Sequence, residues 1–128
     1  MPQDRETGQA ANIFGFQTAR RIAQKIGATS ISSHSNEFLY NGQVVAIKCA
    51  RHKTTSVGVT YAMLNRIEGV IGAFQIDLRD YDLFQLNSHQ FRSNMRESQS
   101  QGPSKGLVGL VSRSIFREIG QYLGHVHI

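Results

Sequence analysis

The chain contains no tryptophan, a single cysteine and only two prolines among its 128 residues. Its apolar stretches are short and interrupted, so none approaches the roughly 18–20 residues that span a bilayer as a helix, and no membrane partner is expected. Cys49 has no second cysteine to join. This excludes the disulfide-stapled class of small secreted domains and fits a reducing, cytoplasmic setting. The opening residues Met-Pro-Gln-Asp-Arg-Glu-Thr-Gly are polar and lack the apolar segment of a secretory leader. A glycine-rich phosphate loop, metal-finger spacing and a dinucleotide fingerprint are all missing, and Gly69-x-x-Gly72 is too generic to stand for any of them. Acidic residues are also scarce: nine Asp and Glu face fourteen Lys and Arg, a formal charge of +5. An excess of that sign on a small domain favours polyanionic partners, because phosphates release counterions when lysine and arginine neutralise them.

What is present fits one domain spanning residues 1–128 with a single core. Residues 1–10 read as a flexible arm. From Asn12 to Ile26, the residues Ile13, Phe16, Ala19, Ile22, Ala23 and Ile26 recur at helical spacing, and Gly27 supplies a stop. Two apolar runs, Glu37–Tyr40 and Gln43–Cys49, flank Asn41-Gly42, the dipeptide favoured in tight type I′ hairpins. A helix is predicted over about 59–68, and strands over Val70–Ile76 and Tyr81–Leu86. A short helix capped by Ser88 should run to Met95, followed by a loop from Arg96 to Gly106 that contains Pro103. A strand over Leu107–Val111 and a closing helix over Ser114–Leu123 complete the pattern. Helices interleaved with strands in this order indicate an α/β fold, a mixed central β-sheet flanked by helices.

A two-residue turn at Asn41-Gly42 fixes the hairpin register by counting outward. Glu37 then faces Ala46, and Glu37, Leu39, Val44, Ala46 and Lys48 share one face. Glu37 and Lys48 are diagonal neighbours, roughly 7–8 Å apart at the backbone, which long side chains can bridge. Two readings stay open for this pair. One is a cross-strand ion pair worth under about 1 kcal/mol if exposed; the other is a catalytic acid–lysine couple.

The second reading rests on a resemblance. Residues from about 12 to 86, with an acid at Glu37 on one strand and Ala46-Ile47-Lys48 on its neighbour, resemble the PD-(D/E)XK nuclease superfamily. That family sets an acid against an acid-x-Lys triplet in a restriction-endonuclease-like core. The resemblance implies a metal-dependent DNA endonuclease in which Glu37 holds Mg²⁺ (or Mn²⁺) against the scissile phosphate. Lys48 would orient the attacking water or neutralise the phosphorane. Ala46 departs from the pattern, putting a methyl group where the family has a second metal-binding oxygen. Glu68, at the end of the next predicted helix, is the candidate replacement, since some family members carry this acid there. Small members of the family act as homo-oligomers on double-stranded DNA, because cutting two strands takes two sites.

Basic and hydroxyl residues gather in two zones. Lys48, Arg51, His52, Lys53, Thr54, Thr55 and Ser56 follow the hairpin directly and suit phosphate contacts. Arg92, Arg96, Lys105, Arg113 and Arg117 form a second zone around the 96–106 loop. Solvated, purely structural roles compete with contact at both. His125 and His127 form an isolated His-x-His on a tail expected to fray, and two imidazoles do not complete a zinc site. Cys49 falls on the hairpin face of Val45 and Ile47, where it reads as a small buried residue and not a nucleophile. Two functions besides the nuclease fit this pattern: a catalytically degenerate DNA- or RNA-binding module, and a structural or regulatory subunit that meets an acidic partner.

Overall fold

A computed structural model describes the backbone of residues 5–98 and 106–128 and the side chains from Phe14 onward within those spans. Helix α1 (Arg5–Ile26) begins well before Asn12, so most of the segment read as an arm is helical. Ala19, Ile22 and Ala23 are buried on its inner side, and Gly27 ends it with a φ of +78°. A two-residue strand β1 (Thr29–Ser30) follows, then the hairpin β2 (Glu37–Tyr40) and β3 (Gln43–Ala50). Asn41 and Gly42 both have positive φ, 51° and 78°, as a type I′ turn requires. The register is the one obtained by counting: Glu37 lies opposite Ala46 and Tyr40 opposite Gln43.

Beyond β3 the structure corrects the sequence reading. The helix expected over 59–68 is a strand, β4 (Ser56–Thr60), leading into one helical turn, α2 (Tyr61–Leu64). Val57 and Val59 are buried while Ser56 and Thr60 face outward, and Thr60 caps the turn by accepting from Met63 N. The alternation over 56–60 is too short to stand out against the helical spacing of Met63, Leu64 and Ile67. Strands β5 (Gly69–Asp77) and β6 (Asp80–Asn87) match the expected pair, and α3 (Ser88–Asn94) follows. Its cap is Asn87 in a reciprocal capping box with Gln90; Ser88 instead donates its hydroxyl to Ile67 O. After β7 (Arg96–Glu97) and β8 (Val108–Ser112), α4 (Arg113–Ile119) stops early at Gly120, which turns to an extended conformation so close to the Phe116 carbonyl that a side chain there would strike it. The rest of the predicted closing helix, and the tail expected to fray, form β9 (Gln121–His127).

Nine strands make two sheets among the described residues. The larger has the order β1-β2-β3-β5-β6-β9, with β3 and β5 parallel and the other neighbours antiparallel; the smaller has the order β4-β8-β7. Side chains alternate along β3 and β5, giving each face its own core. Phe38, Val45, Ile47, Ile71, Ala73, Tyr81 and Leu83 pack with α1 on one face. On the other, Ala46, Ala50, Val70, Phe74 and Leu86 pack with Val57, Val59 and Val111 of the small sheet, Phe91 of α3 and Phe116 of α4. The mixed α/β architecture is therefore as expected.

Edge strand β9 is pinned to β6 by side chains as well as by its ladder. His125 Nε2 and His127 Nδ1 both meet Asp80 Oδ1, at 2.9 and 3.1 Å, and the Tyr122 hydroxyl donates to Asp82 Oδ1 at 3.1 Å. Hydrogen bonding to Asp80 raises the His125 pKa above its ordinary 6.5, and the same bonds hold Asp80 below its ordinary 3.8. The imidazolium's contribution is complete below pH 6.5 and is lost as pH rises through the raised His125 value; the carboxylate's is complete above 3.8 and is lost on acidification through the lowered Asp80 value. Thermal unfolding should accordingly show His125→Ala lowering the midpoint at about pH 5.5 and changing it little at about pH 8.5. An equal loss at both values would assign His125 a purely packing role.

Candidate nucleic-acid interface

Glu37 and Lys48 do share a face of the large sheet, as the register requires, but their charged groups are not paired. The Glu37 carboxylate, about one-tenth exposed, accepts from Arg66 Nη2 at 2.6 Å and from Arg66 Nε at 3.2 Å through the same oxygen. Arg66 follows α2, where the chain turns back toward β5, so the tertiary fold supplies the partner that strand geometry had assigned to Lys48. Its only sequence signal was its charge, and it lay inside a predicted helix. Lys48 has no hydrogen-bond or ion-pair partner among the described residues, and burial pushes its pKa down. Burial in turn pushes the Cys49 thiol up to about 12, leaving it un-ionised at neutral pH.

Glu68 stands elsewhere. Its carboxylate accepts from Val44 N at 2.9 Å, and its own backbone N donates to Val44 O. Val44 precedes Lys48 by four residues along β3, roughly 13 Å of extended strand. Ala46 is fully buried opposite Val70 and brings no ligand. No three His, Cys, Asp or Glu side chains among the described residues are grouped to hold a metal ion. The set Glu37, Glu68 and Lys48 is thus not assembled here into a Mg²⁺ or Mn²⁺ centre.

The two basic zones do come together. Arg113, the first residue of α4, aims Nη2 at the carbonyls of Arg51, His52 and Thr54, at 3.2, 3.4 and 3.1 Å, while its backbone N donates to Thr55 O. Its guanidinium lies 5.3 Å from the centre of the Phe74 ring, a cation–π contact over the second core. Burial lowers the Arg113 pKa, with Arg117 adding to the shift; an arginine stays charged regardless. Arg51 stacks on Phe14, 4.0 Å from the ring centre, and His52 N donates to Gln75 Oε1. These contacts leave Arg51, His52, Lys53, Thr54 and Thr55 exposed on a fixed bend.

Strand pairing brings the second zone alongside. Ser56 lies opposite Ser112, and Arg96 crosses the outer face of the small sheet to donate to Ser56 Oγ at 3.2 Å. The hydroxyls of Ser112 and Ser114 lie 3.0 Å apart. Thr55, Ser112, Arg113, Ser114, Arg117 and Glu118 line an open cleft of about 490 Å³ at this junction. Lys105 lies outside the described residues. Arg113 is the correction within the zone: predicted as one basic surface residue among several, it serves mainly as the staple of the 51–55 bend.

No protein-family model matches the chain, and no curated protein matches it.

Removing Arg66 leaves a buried carboxylate without its donor, which costs about 1–3 kcal/mol. Urea denaturation should show that loss for Arg66→Ala and a smaller one for the Glu37→Gln/Arg66→Ala double variant, because an amide is cheaper to bury than a carboxylate. Equal losses would mean that Arg66 acts through its stem and not its charge.

Proposed function

We propose that this chain is a nucleic-acid-binding domain that grips the phosphate backbone with the surface joining the 51–55 bend to α4. The observation that carries this reading is the merger of two basic segments, far apart in sequence, around one cleft bordered by Arg113, Arg117, Ser112, Ser114 and Thr55, with Glu118 at its edge. Arginine and lysine there can pair with phosphate oxygens, the hydroxyls can donate to them, and neither requires a particular base. The absence of a grouped metal-ligand set among the described residues favours binding over hydrolysis.

Gel retardation of labelled DNA or RNA by the intact chain should weaken steeply with salt. Lys53→Ala and Arg117→Ala should each lower affinity across unrelated sequences and reduce the slope of log K against log salt by about 1. Affinity that ignores both substitutions would move the interface elsewhere; no affinity at about 50 mM salt would end the reading.

Phosphodiester hydrolysis is a second reading, favoured by one observation: Lys48 is a half-buried, unpaired lysine on the same face as Glu37. Metal-assisted attack would use Lys48 to neutralise charge developing on the phosphorane and would require Glu37 to leave Arg66 for Mg²⁺. The binding reading expects plasmid to be retarded and left intact in Mg²⁺ or Mn²⁺. Nicking that disappears on chelation and in both Lys48→Ala and Glu37→Ala would establish hydrolysis in its place.

A further inference from the structure

On the face of the large sheet that α1 covers, a pocket of about 310 Å³ opens between that helix and the β5–β6 turn. Phe14, Gln17, Thr18 and Arg21 line it from α1, at the i, i+3, i+4 and i+7 spacing of a single helix face. Leu78 and Arg79 of the turn close it from the other side, with Tyr81 and Ile128. Its volume is at the lower end of the roughly 300–1,000 Å³ usual for small-ligand sites.

The interior is neutral. Tyr81 and Thr18 lie beneath, 1% and 6% exposed and joined by a side-chain hydrogen bond. Burial raises the Tyr81 pKa above its ordinary 10, so the phenol carries no charge at neutral pH. The Phe14 ring and the Ile128 side chain make apolar walls, and Leu78 stands 79% exposed at the rim.

All the charge at the pocket is positive. Arg21 and Arg79 are exposed, and neither guanidinium has a hydrogen-bond or ion-pair partner among the described residues. Other arginines are engaged: Arg20 and Arg51 stack on phenyl rings, Arg66 holds Glu37 and Arg92 meets Asn65. No acidic side chain lines the pocket. The acids flanking the turn are occupied, Asp77 by Leu78 N and Asp80 by His125 and His127. Ile128 N donates to Arg79 O and so holds the turn in place. Two unanswered cations above a neutral, partly aromatic floor complement a ligand with an anionic head and an apolar body.

We propose that this pocket binds a small organic anion, an apolar ring or short chain bearing a carboxylate or phosphate group. Arg21 and Arg79 take the head through charge-assisted hydrogen bonds, and the planar guanidinium fork suits either oxyanion. The body leaves water for the surface of Phe14, Leu78 and Tyr81. Arg51, 4.0 Å from the centre of the Phe14 ring, adds a third positive charge beside that wall. The pocket shares no lining residue with the basic cleft, whose helix α4 packs on the other face of the large sheet. It therefore stands apart from the nucleic-acid reading and from its failure.

Isothermal titration calorimetry of the intact chain with phenyl phosphate, benzoate, inorganic phosphate and benzyl alcohol reads head and body separately. Phenyl phosphate, benzoate or both should bind about tenfold more tightly than inorganic phosphate and than benzyl alcohol; the tighter of the two identifies the head. Arg21→Gln/Arg79→Gln, both at the surface, should weaken that anion by about tenfold, and Arg117→Ala should leave its affinity unchanged. Inorganic phosphate or benzyl alcohol binding as tightly as both aromatic anions overturns the proposal, because charge or apolar surface alone then accounts for the affinity. An affinity that survives the double variant overturns it too, as does no binding of either aromatic anion up to about 10 mM. A loss in Arg117→Ala as large as in the double variant would move the ligand to the basic cleft and equally overturn the assignment.

Discussion

The contact of Phe116 with the floor of the large sheet governs where the basic surface can sit. Along the second core, β3 and β5 present Ala46, Ala50 and Gly72, so the floor is low between Val70 and Phe74. A methyl group built on Gly72 would come within 2.8 Å of the Phe74 ring and 3.0 Å of Phe116. Because glycine is there, Phe116 reaches the sheet and meets Phe74 edge-on at 5.2 Å and Phe91 at 6.3 Å. This interlocked trio seats α4, and α4 carries Arg113 to the carbonyls of the 51–54 bend. A bulkier residue at position 72 would lift the helix and open the junction on which the basic cleft depends.

The parallel pairing of β3 with β5 explains the placement of the second sheet. Parallel neighbours need a crossover, and here β4 and α2 form it over the face opposite α1. The crossover delivers Arg66 to Glu37 and sets β4 beside β8, uniting residues near 55 with residues near 113. Lys48 is half-buried on this face of β3, with no hydrogen-bond or ion-pair partner among the described residues.

Local features of the fold were legible in sequence where a short-range rule decides. Asn41-Gly42 dictated its turn, the turn dictated the register, and Gly27 marked the helix end. The apolar runs at 70–76 and 81–86 are likewise strands. The missed strands share a cause. β4 is five residues with a central glycine, where a methyl group would crowd the Val108 and Leu110 side chains of β8 at 3.1 and 3.0 Å. β9 carries polar residues at Gln121, His125 and His127, and its burial partners on β6 are distant in the chain. Neither stands out as a strand from its local pattern; tertiary pairing settles both. For the site, face-sharing by Glu37 and Lys48 followed from the turn, whereas capture of Glu37 by Arg66 and union of the basic zones depended on the crossover, which no local pattern encodes.

The grip of one guanidinium on three carbonyls also bears on the cost of binding. An exposed loop of lysine, threonine and histidine would ordinarily sample many shapes in solution and surrender that freedom on meeting a polyanion. Here the backbone of the bend is tied to a helix that is itself wedged into the core, so it is ordered before any partner arrives. Were the proposed nucleic-acid partner to bind there, its phosphates would meet a backbone with little ordering left to lose.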